Sequence, residues 1–203
     1  IMGAIILITV NIAGKFGNPF LAYHHAAFQV GSIITTTGYS TVDFNTWPTF
    51  SKTVLVLLMF IGASAGSTGG GIKVSRIVIL AKSVKKELKQ YLHPHSISKI
   101  KMDGKPVEHE VVRSINVFLI AYLLIYAVPM LIDSLDNFDF STTFTTVAAT
   151  INNIGPGLDL VGPAANFGIL SVPSKLVLIF DMLAGRLEIF PLLLLFVPDT
   201  WRK

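Results

Sequence analysis

The sequence contains one run whose residue types could bind a cation through the main chain, Thr36-Thr37-Gly38-Tyr39, and Ser40 follows it. Potassium-channel filters use the pattern Thr-x-Gly-Tyr-Gly, in which backbone carbonyl oxygens replace the hydration shell of the ion. A glycine in such a run adopts dihedral angles that are closed to other residues, so that successive carbonyls can point the same way. Ser40 stands where the pattern has its last glycine, and the four residues alone also suit an ordinary turn. The ion-binding interpretation therefore needs a second observation.

A second copy of this run lies later in the chain. Residues 32–40 align with residues 149–157, and the alignment places Gly38 on Gly155. A further aligned segment contains identical pairs in one register, namely Ser51, Lys52, Val54, Leu55 and Gly62 with Ser174, Lys175, Val177, Leu178 and Gly185. Identities in a fixed register over two segments indicate a duplicated structural unit.

The composition indicates a membrane protein. Hydrophobic residues make up 52% of the 203 residues and charged residues 14%, with a mean hydropathy of +0.65, whereas an average soluble domain has about 25% charged residues. The sequence has no cysteine, which excludes disulfides and thiolate metal sites. The chain begins in an apolar run without a charged leader or a cleavage site, so we predict no signal peptide and expect an upstream part.

The distribution of charge predicts the orientation. Between Lys73 and Arg113 there are ten lysines and arginines against four acids. Apolar segments flank this region, so the positive-inside bias of cytoplasmic loops explains it better than a nucleic-acid surface does. We therefore expect residues 73–113 and the end at Trp201-Arg202-Lys203 to lie in the cytoplasm, with no nucleic-acid partner. A docking surface for a partner protein and a merely solvated loop both fit the basic segment.

The order of apolar and polar segments predicts an all-α membrane protein built from repeated span–pore helix–span units around a pore. The first unit covers residues 1–82 with a truncated first span, a cytoplasmic basic loop covers 83–112, and the second unit covers 113–203. Re-entrant helices are predicted over 20–35 and 142–151, which are too short to cross a bilayer. Two crossings per unit make the copies parallel, related by an axis along the membrane normal. A ring of four carbonyl stretches needs two further units, which we expect upstream or in another chain.

A candidate gate is the run of small residues that interrupts an apolar segment. Glycine destabilises a helix by about 1 kcal/mol relative to alanine, and unwound backbone at membrane depth survives only against protein or a watery cavity. The predicted gate residues are Gly62, Gly66, Ser67, Thr68, Gly69, Gly70 and Gly71. A phosphate-binding loop is excluded, because Ile72 separates Gly71 from Lys73 and Val74 stands where serine or threonine is required.

The last apolar span carries ionisable residues, which in membranes usually face a cavity or a partner. Asp181 and Glu188 share a helix face and are predicted to pack against neighbouring helices or headgroup water. Arg186 points about 140–160° away from both, so it either projects into the pore as an electrostatic barrier or pairs with a carboxylate on another helix. His24 and His25 point about 100° apart on a helix and are predicted to pack at the outer surface rather than to bind metal.

On these residues, the sequence resembles the TrkH branch of the Trk/Ktr/HKT cation-translocating superfamily. The resemblance extends over nearly the whole chain. Its most specific segments are Thr-Thr-Thr-Gly-Tyr-Ser, Ala-Gly-Ser-Thr-Gly-Gly-Gly-Ile-Lys, Asn-Asn-Ile-Gly-Pro-Gly and Gly-Arg-Leu-Glu-Ile-Phe. Proteins of this family have four span–pore–span repeats around one pore, and the chain resembles the third and the fourth.

The resemblance implies a role for each site. Two filter stretches, Thr36, Thr37, Gly38 and Tyr39 with Asn153, Ile154, Gly155 and Pro156, would bind K⁺, through the carbonyls of Thr36, Thr37, Asn153 and Ile154. Residues 62–71 would be the intramembrane gating loop, and Arg186 would lie near the pore axis below the filter. Pro156 departs from the filter pattern, so we expect looser selectivity there, and the preference for K⁺ over Na⁺ stays open.

The resemblance also implies partners and a compartment. We expect a multi-pass protein of the bacterial inner membrane, in contact with lipid, that forms a homodimer and binds a cytosolic TrkA-type nucleotide-binding regulatory protein. We expect no enzymatic activity and no cofactor besides the transported ion. Two other hypotheses stay open: an ion-coupled carrier, and a membrane enzyme or assembly subunit whose glycines serve close helix packing.

Overall fold

The computed structural model describes residues 1–62, 64, 66–67, 69–93, 99–187, 194 and 198–201. In this described part the fold is built from seven α-helices. They are α1 (Met2–Phe16), α2 (Pro19–Ile34), α3 (Thr49–Phe60), α4 (Val74–Leu92), α5 (His109–Asp133), α6 (Phe140–Ile151) and α7 (Val172–Leu187). Two pairs of two-residue strands complete it: β1 (Ile61–Gly62) is parallel to β2 (Ile72–Lys73), and β3 (Lys101–Met102) is antiparallel to β4 (Lys105–Pro106). The all-α class expected from the sequence therefore holds.

The helices pack as two similar groups. Helix α1 packs against α2 and α3, and α5 packs against α6 and α7. Helix α3 also contacts α6, which joins the two groups into one hydrophobic core. The short helices α2 and α6 carry the most completely buried apolar faces, with fully buried Ala22, Ala26, Val30, Val147 and Ala148.

Local sequence explains where the two short helices begin. Helix α2 starts at Pro19, which suits the first helical position, and the Asn18 side chain accepts a hydrogen bond from the Phe20 N–H at 2.9 Å. Helix α6 is capped by Asp139, which accepts from the Thr142 hydroxyl at 2.6 Å and the Thr142 N–H at 3.0 Å. These bonds hold the pKa of the Asp139 carboxyl below its usual value. Both caps fix the direction in which a helix approaches the stretch that follows it.

One helical segment in the described part, His109–Asp136, is long and apolar enough to cross a membrane, and it comprises α5 and the following 3₁₀ turn. Met2–Phe16 and Thr49–Phe60 are shorter apolar helices. Helix α5 exposes a row of large apolar side chains on its outer surface, namely Ile120, Leu123, Leu124, Val128 and Leu131.

Two unit boundaries drawn from the sequence fall inside helices. The boundary at 82/83 lies within α4, and the boundary at 112/113 lies within α5. A long helix can carry lysines beyond the apolar region without ending there, so the two unit boundaries stay predictions. The last apolar span that the sequence predicts is described without a gap from Val172 to Leu187. Glu188 and the terminal Arg202 and Lys203 lie outside the described residues.

The two groups are also joined by one polar side chain. Asn45, in the loop after the first filter stretch, donates to the Asp159 carbonyl at 3.0 Å and accepts from the Asp159 N–H at 2.8 Å. Asp159 follows the second filter stretch and has a φ of 53°. The asparagine amide therefore satisfies both backbone groups of a residue 114 positions away.

We expect Asn45→Ala to lower the free energy of unfolding by about 1–3 kcal/mol, because the partly buried Asp159 N–H loses its partner and the Asp159 carbonyl keeps only the bond from the Gly162 N–H. The measurement is the thermal midpoint of the purified protein that contains this chain. Asn166→Ala is the matched control, since Asn166 accepts only a local bond from the Gly168 N–H at 2.8 Å. Equal effects of the two substitutions would contradict the assigned linkage.

Candidate functional site

The two Gly-centred stretches have the same backbone conformation at equivalent positions. Thr36 has a φ of 55° and Gly38 a φ of 79°, while Asn153 has a φ of 53° and Gly155 a φ of 111°. Asparagine tolerates the left-handed region, but a β-branched threonine there is an outlier. Such a residue stores strain of about 1–3 kcal/mol, and strained residues cluster at functional sites.

The hydrogen bonds that shape these stretches repeat as well. The Thr37 N–H donates to the Ser32 carbonyl at 2.9 Å, and the Ile154 N–H donates to the Ala149 carbonyl at 2.9 Å. Each bond reaches back from the stretch into the last turn of the short helix before it. The alignment of residues 32–40 with 149–157 therefore describes a repeated backbone structure as well as a repeated sequence.

The two stretches meet at their glycines. A Cβ atom added to Gly38 would lie 2.0 Å from the Ile154 carbonyl oxygen and 3.2 Å from Cδ of Pro156. A Cβ atom added to Gly155 would lie 4.0 Å from the Gly38 Cα atom. Only glycine fits at position 38, because any side chain there would displace the Ile154 carbonyl.

A cavity of about 630 Å³ lies between the two stretches and α7. Of the eight predicted filter residues, those on its wall are Thr36, Thr37, Asn153, Ile154 and Gly155. Gly38 and Pro156 lie at the meeting point of the two stretches. Tyr39 is placed differently: its side chain is 74% exposed, and its carbonyl accepts a hydrogen bond from the Ser32 hydroxyl at 2.5 Å.

Three side chains hold the second stretch, and two of them, Asn152 and Tyr122, were not predicted as site residues. Asn152 donates from Nδ2 to the Ala148 carbonyl at 2.8 Å and accepts at Oδ1 from the Tyr122 hydroxyl at 2.9 Å. Both Asn152 and Tyr122 are buried, at 0% and 3% exposure. Asn153 donates from Nδ2 to the Met182 carbonyl at 2.9 Å, which fastens the stretch to α7. The available sequence signal was the Asn-Asn pair at the positions of Thr35 and Thr36.

The interruption that the run of small residues from Gly62 predicts is present. Helix α3 ends at Phe60, and β1 then pairs with β2, with Ile61 opposite Ile72 and Gly62 opposite Lys73. The chain between these strands, residues 63–71, is called the glycine loop below. Ala63, Ala65 and Thr68, the last a predicted gate residue, lie outside the described residues.

The glycine loop lies directly against the end of α6. A Cβ atom added to Gly70 would lie 2.1 Å from the Asn152 carbonyl oxygen, and one added to Gly71 would lie 3.1 Å from Oδ1 of Asn152. A Cβ atom added to Gly62 would lie 2.3 Å from the Gly70 carbonyl oxygen. The glycine loop therefore touches the residue directly before the second Gly-centred stretch, and the lack of side chains at Gly70 and Gly71 permits that contact.

Three basic side chains lie beside the glycine loop. Lys73, Arg76 and Arg186 line a cavity of about 100 Å³ together with Ser67, Gly69 and Gly71. The Arg76 guanidinium carbon lies 3.9 Å from the centroid of the Phe118 ring, a cation–π contact. Arg186 therefore lies next to the glycine loop, in the same group of basic side chains as Lys73 and Arg76. Its role as an electrostatic barrier in a pore stays a prediction.

Lys175 also lines the larger cavity, whereas Asp181, His24 and His25 line neither of the two cavities. Asp181 is fully buried. Of the two predicted environments for its side chain, packing against neighbouring helices is therefore correct and contact with headgroup water is wrong. The Nδ1 atom of His25 lies 3.0 Å from the Thr41 hydroxyl, and the rings of His24 and His25 are 5.5 Å apart. Among the described residues, no group of three or more histidine, cysteine, aspartate or glutamate side chains could hold a metal ion.

Comparison with known proteins identifies the family. A family model described as TrkH, cation transport protein, matches residues 18–203. The Trk system potassium uptake protein TrkH of Vibrio parahaemolyticus is 44% identical over 189 residues, which cover 93% of this chain and 39% of that protein. The protein of the same name from Escherichia coli is 40% identical over 188 residues, covering 93% of this chain and 38% of that protein.

A solved structure has the same fold. The crystal structure of the potassium transporter TrkH from Vibrio parahaemolyticus matches with a TM-score of 0.87 at 40% identity, over 99% of this chain and 43% of that chain. The chain thus spans about two fifths of the length of the relatives that it matches. With a family match over nearly all of its residues, the chain belongs to the TrkH family of cation transport proteins.

Proposed function

We propose that the whole protein takes up K⁺ across the membrane through a channel-like pathway, and that this chain supplies the third and fourth of four span–pore–span units. The names of its relatives, which are potassium uptake proteins, support the transported ion. The main support for the pathway is the close approach of Gly38 to Ile154. A Cβ atom added to Gly38 would lie 2.0 Å from the Ile154 carbonyl oxygen.

Backbone carbonyls are the ion-binding groups in this proposal. A weakly hydrated monovalent cation exchanges its water shell for several carbonyl oxygens held by a rigid backbone. The carbonyls of Thr36, Thr37, Asn153 and Ile154 are contributed by two stretches that share a conformation and approach each other at Gly38. The repeated hydrogen bonds to the preceding short helices hold both stretches in this conformation.

The glycine loop is the gate. The contact of Gly70 and Gly71 with Asn152 supports this role, because a segment that lies against the residue before a filter stretch can obstruct the path below it. A loop of small residues can also move aside at low steric cost. Arg186 beside the loop adds a positive charge along the path of the cation.

The protein spans the bacterial inner membrane many times and works as a homodimer. The apolar outer row of α5 supports contact with lipid. The basic segment faces the cytoplasm, where a TrkA-type nucleotide-binding protein docks on it; the exposed lysines Lys82, Lys85 and Lys89 at the end of α4 support an accessible surface there.

The filter assignment predicts the effect of Gly38→Ala. We expect it to reduce K⁺ or Rb⁺ flux into liposomes by at least about tenfold, because the new methyl group would overlap the Ile154 carbonyl and a φ of 79° disfavours alanine. Gly31→Ala is the matched control, since nothing lies within 4 Å of its Cβ position. Loss of flux only in proportion to lost folded protein would favour a glycine that serves helix packing.

The gate assignment predicts that deleting residues 67–69 from the glycine loop raises flux. A shorter loop cannot reach across the path and still rejoin β2, so the obstruction should be removed. The measurement is passive Rb⁺ flux into liposomes that contain the full-length protein. Unchanged or lower flux would contradict the gate, and saturable uptake that needs a proton or sodium gradient would indicate an ion-coupled carrier.

A further inference from the structure

The glycine loop has backbone groups that no helix satisfies. Peptide carbonyls at membrane depth need hydrogen-bond donors from the protein or from a water-filled cavity. Within the described residues of the loop, the Ser67 N–H donates to the Ser64 carbonyl at 3.1 Å, which makes one turn. The question is which donor the carbonyls of Ser67 and Gly69 use.

That donor is the side chain of Lys73. Its ammonium group donates to the Ser67 carbonyl at 2.8 Å and also to the Gly69 carbonyl, and the Ser67 hydroxyl oxygen lies 3.5 Å away. The backbone of Lys73 is held opposite Gly62 in the parallel strand pair. The lysine is therefore anchored at the base of the loop and reaches across it with a half-buried side chain.

The arrangement satisfies the hydrogen-bonding groups of both the lysine and the glycine loop. A lysine ammonium has three donors and no acceptor, and a half-buried ammonium such as that of Lys73 needs polar partners to offset the loss of water. Carbonyl oxygens of a glycine-rich turn can approach it closely because no side chain shields them. Hydrogen bonds to a charged donor are about twice as strong as neutral ones. Opening the loop would separate the ammonium from the carbonyls at the same time.

We propose that Lys73 is the latch of the glycine loop: its ammonium binds the carbonyls of Ser67 and Gly69 and holds the loop in the closed position. This inference rests on the proposed role of the loop as the gate and goes beyond it by naming the group that keeps the gate closed. Lys73 is a positioning residue, since it acts on the permeant ion through the loop.

A different physical effect of the same residue must be separated from the latch. The charge of Lys73 could repel cations from the path directly, and its removal would then also raise flux. The two effects differ once residues 67–69 are deleted, because the deletion removes both carbonyls that the ammonium binds. A latch has nothing left to hold in the shortened loop, whereas a charge barrier still acts. A double-mutant cycle therefore distinguishes them.

The experiment measures passive Rb⁺ flux into liposomes with four forms of the full-length protein: unmodified, Lys73→Met, the 67–69 deletion, and both changes together. We expect Lys73→Met to raise flux by about tenfold, the size expected when a charge-assisted hydrogen bond of this kind is lost. We expect no further increase when Lys73→Met is added to the deletion. Lys73→Arg should keep flux near that of the unmodified protein, because it retains a charged donor.

The matched control is Lys15→Met. The ammonium of Lys15, in the last turn of α1, also donates to a backbone carbonyl, that of Thr46, which lies outside the glycine loop. This substitution removes the same charge and should leave flux unchanged. If Lys73→Met is not recovered as folded protein, Lys73→Gln takes its place in the cycle.

The outcomes separate the latch from the gate. If the deletion raises flux but Lys73→Met does not, the latch is wrong and the gate stands. If Lys73→Met raises flux by the same factor with and without the deletion, the lysine is a charge barrier and the latch is wrong. If the deletion itself leaves flux unchanged, the gate fails and the latch fails with it.

Discussion

The structure depends on the close approach of two backbone segments at a point where no side chain fits. Gly38 faces the carbonyl of Ile154 so closely that an added Cβ atom would lie 2.0 Å from its oxygen. This contact fixes the distance between the two stretches, and the positive φ angles at Thr36 and Asn153 fix their shape. Much of the surrounding architecture can be understood as support for this one contact.

The support comes from short capped helices and from asparagine side chains. Helices α2 and α6 begin at capped residues and end in equivalent turns, so that each delivers its stretch at the same angle. Asn45 links the segment after the first stretch to Asp159, which follows the second stretch. Asn152 connects the second stretch to α5, and Asn153 connects it to α7. An amide both donates and accepts, which suits positions where unpaired backbone groups must be satisfied inside the protein.

The sequence was sufficient to predict the repeated backbone, the short helices and the break after Phe60, because each depends on local residue types and on an internal alignment. It was not sufficient to predict the partners of Asn152 and Lys73. The Tyr122 hydroxyl lies 30 positions from Asn152 along the chain, and a periodic pattern cannot reveal which side chains of two packed helices meet. The same holds for Tyr39, whose carbonyl is taken by Ser32 within the preceding helix.

The most direct test of the account is the position of a heavy permeant ion in crystals of the full-length protein soaked in Rb⁺ or Tl⁺. The account predicts anomalous density in contact with the carbonyl oxygens of Thr36, Thr37, Asn153 and Ile154, with Gly38 and Gly155 adjacent to it. Bound ions found only elsewhere along the protein, with these carbonyls turned away from them, would contradict the central claim.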